Sequence, residues 1–314
     1  MNYPYANGII KAQENTILDK AKLIRFSHDT PVAMMRELKE VGYGSAEDAT
    51  LEDLISTEMS KVKQGIAKIA PEPSLIRLLF ISDDAINLKM LLKKKLFGYA
   101  RALHYAKNGA FDPEELAMWV ESKMPLIDKK WNKGLAPLLE LTVDEVSPRN
   151  LSSRVDDLIF RLAASSMKPF QTGALKEYFE KKIDYTNLIS LVRARKLEWP
   201  ILEFETMMLS GGTISKEKLL EIYPLSDQDI LQELLAYDYG KITADLKVCF
   251  TRDDLGLLEI YFENRLLSKM KEYHAEPFTI GPMLYYVLMK KAEATNIRTI
   301  ASNPDFDAQY LLDY

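Results

Sequence analysis

"DDAINLKMLLKKK" occupies residues 83–95, "KIDYTNLISLVRARK" residues 182–196 and "KAEATNIRTIAS" residues 291–302. One phrase runs through all three: an acid, two residues, asparagine, Leu or Ile, two residues, Leu or Ile. It stands at Asp84-Asn87-Leu88-Leu91, at Asp184-Asn187-Leu188-Leu191 and at Glu293-Asn296-Ile297-Ile300. A chain of this composition gives about 0.07 such matches by chance. Three matches, with asparagines 100 and 109 residues apart, are therefore a repeat.

A second echo follows the first two phrases. "KNGAFDPEEL" and "SGGTISKEKL" align at a constant offset of 103, pairing Gly109 with Gly212, Phe111 with Ile214 and Leu116 with Leu219. Each reads as a glycine stop and a new helix start. Upstream of each phrase lies an amphipathic stretch with an acid after an apolar residue: Leu51-Glu52, Val155-Asp156 and Leu258-Glu259. "RELKEVGYG" from Arg36 and "QELLAYDYG" from Gln232 join the outer copies. The chain reads as three tandem helical units over residues 1–108, 109–210 and 211–314.

Helical spacing dominates the rest. Leu51, Leu54, Ile55, Met59, Val62, Ile66 and Ile69 fall on one stripe, the three-and-four spacing of an amphipathic helix. Alternation is scarce, and "GKITADLKVCF" (240–250) is the best strand candidate. The fold class is all-α.

The 314 residues are 47% hydrophobic and 28% charged, enough for a substantial core. A net charge of −5 lacks the basic excess of a dedicated nucleic-acid binder. One cysteine, Cys249, excludes an internal disulfide and fits a reducing compartment. The start shows no apolar signal region. "FTIGPMLYYVLM" falls short of the roughly 20 residues needed to span a bilayer. A soluble, cytoplasmic protein is expected.

A search for chemistry returns nothing. His28, His104 and His274 show no metal-ligand spacing. Cys249 has no CxxC partner, and its apolar context reads as a buried, inert thiol. No GxxxxGK[ST], GxSxG or GxGxxG occurs. No catalytic, cofactor-binding or metal-ligating residue is expected, and no cofactor. Asparagine inside a helix is about 0.7 kcal/mol worse than alanine, so three at equivalent places suggest a repeated hydrogen bond. The acid one turn earlier could accept from the Asn amide or sit near a helix start. A helix-packing signature is the main reading, and a ligand site made three times is the sharper one. Lys93 and Lys95, then Arg193 and Arg195, follow the first two asparagines at +6 and +8, where the third copy has Ser302 and Pro304. They read as a solvated helix face, or as an electrostatic docking surface.

The three phrases, their layout and the segment "AEPFTIGPMLYYVLMKKAEATNIRTIA" (275–301) together resemble the C subunit of prokaryotic V-type and A-type rotary ATPases, the counterpart of the d subunit of the vacuolar ATPase. The resemblance covers nearly the whole chain. It implies three similar helical domains in a funnel about a pseudo-threefold axis. It also implies a non-catalytic socket between two partners, the central rotor shaft (D/F type) and the membrane c/K ring, peripheral on the membrane and in contact with no nucleic acid. Family members often carry a longer basic helix after the third phrase; here the tail "NPDFDAQYLLDY" is short and acidic. Two other readings stand beside this one: a helical-repeat scaffold for a protein or peptide, and an enzyme built from scattered carboxylates.

Overall fold

The computed structural model describes residues 2–26, 30–99, 104–167, 173–302 and 307–314. Among these residues there is no strand. In chain order the helices are α1 (Tyr3–Gln13), α2 (Lys20–Phe26), α3 (Pro31–Glu40), α4 (Leu51–Ile69), α5 (Pro73–Phe97), α6 (Pro113–Ser122), α7 (Lys129–Leu135) and α8 (Pro148–Ser166). Then come α9 (Gly173–Lys196), α10 (Ile201–Met207), α11 (Lys216–Ile222), α12 (Asp227–Glu233), α13 (Lys241–Arg252), α14 (Leu255–Glu272) and α15 (Gly281–Ser302). The fold is all-α, as the periodicity predicts.

The segment 240–250 corrects one expectation. It is not a strand; it lies almost wholly within α13, whose buried residues include Ile242, Leu246 and Cys249. That spacing of four and three marks one helix face. The same residues also alternate loosely, which lends the stretch a false period of two.

Helix starts follow from local chemistry. Thr50 caps α4 by accepting from the Asp53 amide, with Glu52 and Asp53 in the first turn, where negative charge is favoured. Ser147 and Asn150 form a reciprocal capping box on α8, with Pro148 as its first residue. Asp112 caps α6 and Ser215 caps α11, again 103 positions apart.

The chain divides into two compact units, one of Met1–Leu79, Gln171–Leu175 and Gly256–Tyr314, the other of Phe80–Phe170 and Lys176–Leu255. In the first unit α15 packs against α1, α2 and α4. It is buried nearly all round, from Gly281 through Ile300, the signature of a helix at the centre of a core. From α1, the buried Asn7 amide donates to the carbonyls of Pro277 (2.8 Å) and Thr279 (3.0 Å), holding the turn that leads into α15. In the second unit α8 packs on α7 and α10, while α11 lies against α10 and α12, and α12 against α13. Trp119, Leu151, Val155, Leu188 and Phe204 are fully buried there.

Candidate functional site

The three asparagines are all at most 1% exposed, and each does the same thing. Asn87 Nδ2 donates to the Ala106 carbonyl at 2.9 Å, and Asn87 Oδ1 accepts from the Ala106 amide at 2.9 Å. Asn187 holds Leu209 the same way, at 3.0 and 2.8 Å. Asn296 holds Leu312, at 2.9 and 2.7 Å. A carboxamide presents donor and acceptor side by side, so it can engage both backbone groups of one residue as a neighbouring strand would. Ala106 and Leu209 are themselves 103 positions apart.

The acids do not bond the asparagines, and they sit in helix interiors. Asp84 accepts from the amides of Ala110 (2.6 Å) and Phe111 (3.0 Å). Asp184 accepts from the Ile214 amide (3.0 Å) and the Thr213 hydroxyl (2.5 Å). Each acid thus fastens the end of the loop, just before the cap of the next helix, α6 or α11. The two glycines have their reason here: a Cβ at Gly109 would strike Asp84 Oδ1, and one at Gly212 would strike Asp184 Oδ1. Burial raises the Asp184 carboxyl above the ordinary range, against the pull of the Ile214 and Thr213 donors.

The third copy departs. Glu293 accepts from the Leu18 amide at 2.6 Å, far away in sequence. It also pairs with Lys290 (2.6 Å), which pairs with Glu58 of α4 (2.8 Å). Lys290 and Glu293 are 0% exposed and Glu58 8%. Burial alone would lower the Lys290 pKa, but the two carboxylates overcome it and raise the pKa. Its ammonium also lies 5.1 Å from the Tyr43 ring centroid. A cavity of about 240 Å³ opens beside Tyr43 and Glu58, with Gln13, Thr16, Lys61 and Tyr286 in its wall. Two sequence hints were available: Glu58 on the apolar stripe of α4, at three- and four-residue spacing from Leu54, Ile55 and Val62, and a lysine inside the apolar run of α15.

The basic residues at +8 serve the fold. Lys95 donates to the Val120 carbonyl at the end of α6. Arg195 donates to the Tyr223 and Leu225 carbonyls (2.5 and 2.6 Å), just past α11, and pairs with Asp227. Val120 and Tyr223 again differ by 103. Cations here satisfy carbonyls that a helix end leaves open. At +6, burial lowers the Lys93 pKa, with Lys89 adding to the effect; Arg193 is exposed.

Two upstream acids also find partners. Lys89 pairs with Asp156 at 2.6 Å, and Arg298 pairs with Glu52 at 2.6 Å. Both cations sit two residues after a repeated asparagine. Burial raises the Asp156 carboxyl even so, against the opposing Lys89 charge.

The other candidates stay apart. His274 contacts Glu14 and Lys11, His104 is exposed, and His28 lies outside the described residues, as does Pro304. Burial pushes the Cys249 thiol up to about 11, with Asp254 and Asp253 adding to it, so it stays protonated at neutral pH. Among the described residues no three His, Cys, Asp or Glu side chains converge as metal ligands. Nor is any described helix long and apolar enough to cross a membrane.

This geometry defines a class: an all-helical repeat protein whose buried polar groups fasten loops to helices. Its sequence matches the family described as "ATP synthase (C/AC39) subunit" over residues 6–303, and the chain belongs to that family, an accessory component of the ATPase complex and not a catalytic one. It is similar to the C subunit of the A-type ATP synthase of Thermococcus onnurineus, 24% identical over 95% of this chain and 85% of the relative. The same subunit from Desulfurococcus sp. is 24% identical, over 95% and 86%. The C subunit of the V-type sodium ATPase of Enterococcus hirae is 22% identical, over 96% and 93%.

Proposed function

We propose that this chain is the socket of a rotary ATPase, seating the central rotor shaft (D/F type) on the membrane c/K ring. In this reading the repeat units 1–108, 109–210 and 211–314 close into a funnel about a pseudo-threefold axis. The chain is then held at the membrane through the complex and moves torque between ATP hydrolysis or synthesis and ion transport.

The observation that carries the reading is the threefold asparagine clamp, within a chain that belongs to the family. Each clamp fixes a loop to a helix through the main chain. Packed interiors deform little, and a transmission element needs stiffness and two docking surfaces, not an activated side chain. The ion pairs Lys89–Asp156 and Arg298–Glu52 support the repeat as well. Each links a phrase helix to the upstream acid of another copy: first to second, and third to first.

The test is removal of the chain from its membranes. Tagged protein should bring down shaft and ring proteins from solubilised membranes. Its deletion should leave ATP hydrolysis by the soluble head intact while ion pumping stops. Hydrolysis by the isolated head that required this chain would overturn the proposal.

A further inference from the structure

The cavity of about 240 Å³ lies wholly in the first unit, lined from the end of α1, the loop after α3, α4 and α15. Its volume takes about eight water-sized groups. The charges in its wall are already matched. Glu58 accepts from the Gly44 amide at 3.2 Å and pairs with Lys290. Lys61 donates to the Gly42 and Gly44 carbonyls and lies 3.8 Å from Glu58. The Thr16 and Tyr286 hydroxyls bond each other, and Thr16 donates to the Gln13 carbonyl at 2.8 Å. Two polar groups of the wall are different. Tyr43 is 3% exposed, and its hydroxyl is buried with no hydrogen-bond partner. The Gln13 carboxamide, half-buried beside Gly65 of α4, has none among the described residues.

We propose that this cavity binds a small uncharged polyol, the size of a four-carbon sugar alcohol, through the Tyr43 hydroxyl and the Gln13 carboxamide. A buried hydroxyl left unpaired is costly, and native folds rarely keep one without a partner. The class of ligand follows from what each group offers. Burial raises the Tyr43 pKa, with the Glu293 and Glu58 charges adding to it, so the phenol keeps its proton and donates to a ligand oxygen. The carboxamide both donates and accepts, and a ligand hydroxyl answers it on both counts. A charged ligand finds no open counter-charge: Glu58 and Lys61 are already paired, and a further charge would lose its water without compensation. Leu18, Val41 and Val62 complete the wall and suit the carbon chain. Val41 is 45% exposed, so the cavity opens to solvent on its side. The site does not depend on the socket role.

The probe is erythritol, added to the full chain and read by saturation-transfer NMR. Saturable binding with a Kd of about 1–10 mM is expected, the range open to so small a ligand. Tyr43→Phe and Gln13→Ala should each weaken it by about 5-fold or more. In probe-free buffer Tyr43→Phe should leave the thermal midpoint unchanged or higher, because it removes an unsatisfied buried group. Val41→Trp, at an exposed position, should close the entrance and abolish binding, and it decides the matter if a buried variant does not fold. Erythronate, the same carbon chain with a carboxylate, should bind at least about 10-fold more weakly than erythritol. No saturable binding by about 100 mM erythritol would overturn the proposal, as would binding that these substitutions leave unchanged. Erythronate binding as tightly as erythritol would sink the polyol class.

Discussion

Asn187 shows what one side chain contributes when it replaces a whole strand of partners. Its removal would leave the Leu209 amide and carbonyl without their partner in a buried site. Each stranded backbone group costs roughly 1–3 kcal/mol. We expect Asn187→Ala to lower unfolding free energy by about 2–4 kcal/mol, measured by urea denaturation. A loss under about 0.5 kcal/mol, the range of neutral surface changes, would contradict the clamp. Asp184 adds a pH dependence. Its carboxyl titrates above the ordinary value of about 3.9 when folded. Below that value native and unfolded chains are both protonated. As pH rises past it the unfolded chain gives up its proton first, so the native state binds more protons and stability falls. Asp184→Asn removes this step. The stability lost by the variant should therefore be larger near about pH 4 than near about pH 7. A gap that widened towards neutral pH would reverse the sign we assign.

At the scale of elements, α5 and α9 are two versions of one device. Each holds an acid, an asparagine one turn on and a cation about two turns further, fastening respectively the end of the loop, an earlier point of the loop and the end of the next short helix. Arg195 makes two carbonyl bonds and an ion pair, where Lys95 makes one carbonyl bond. Arg195→Ala should destabilise the chain by about 1–3 kcal/mol, and Arg195→Lys by roughly half as much, since an ammonium is a point donor and a guanidinium a fork. Equal losses in thermal denaturation would mean the fork geometry is unused. The existence of these helices was legible in the sequence because burial imposes its period on them, as in α4, where six of the seven stripe residues are buried and Leu51 is partly exposed. The segment 240–250 was ambiguous because Ile242, Leu246 and Cys249 share their stretch with alternating polar residues. The partners of the asparagines were not legible at all. A bond to main-chain atoms leaves no mark on residue type at Ala106, Leu209 or Leu312.

For the whole molecule, the two compact units hold their polar cores differently. The second uses the Asn87 and Asn187 clamps; the first adds the buried Lys290 cluster to its single clamp. Removing one member of a buried ion group strands the rest and costs about 3–5 kcal/mol. Lys290→Met should therefore destabilise by that order, and adding Glu58→Gln should recover part of the loss by removing one stranded charge. Hydrogen exchange should show the lost protection in α1, α4 and α15, the elements around the cluster. Protection lost equally in α8 and α13 would argue against this locality. The cluster was hard to read in the sequence: Glu58 interrupts the apolar stripe of α4 between Ile55 and Val62, but only the fold brings it to α15. The repeat was plain because its copies share residue types, whereas the cluster occurs in one copy alone.

The clamp has a consequence for how such a chain can change. A carboxamide that grips peptide atoms is indifferent to what hangs from them. Gripped stretches whose side chains are exposed or half-buried, such as residues 104–107, are thus interchangeable parts in the sense of a standard fitting, free to trade side chains while the joint keeps its shape, whereas Met208 and Leu209 also fill the core. A duplicated gene can let those stretches wander towards separate partners without ever loosening the frame that carries them.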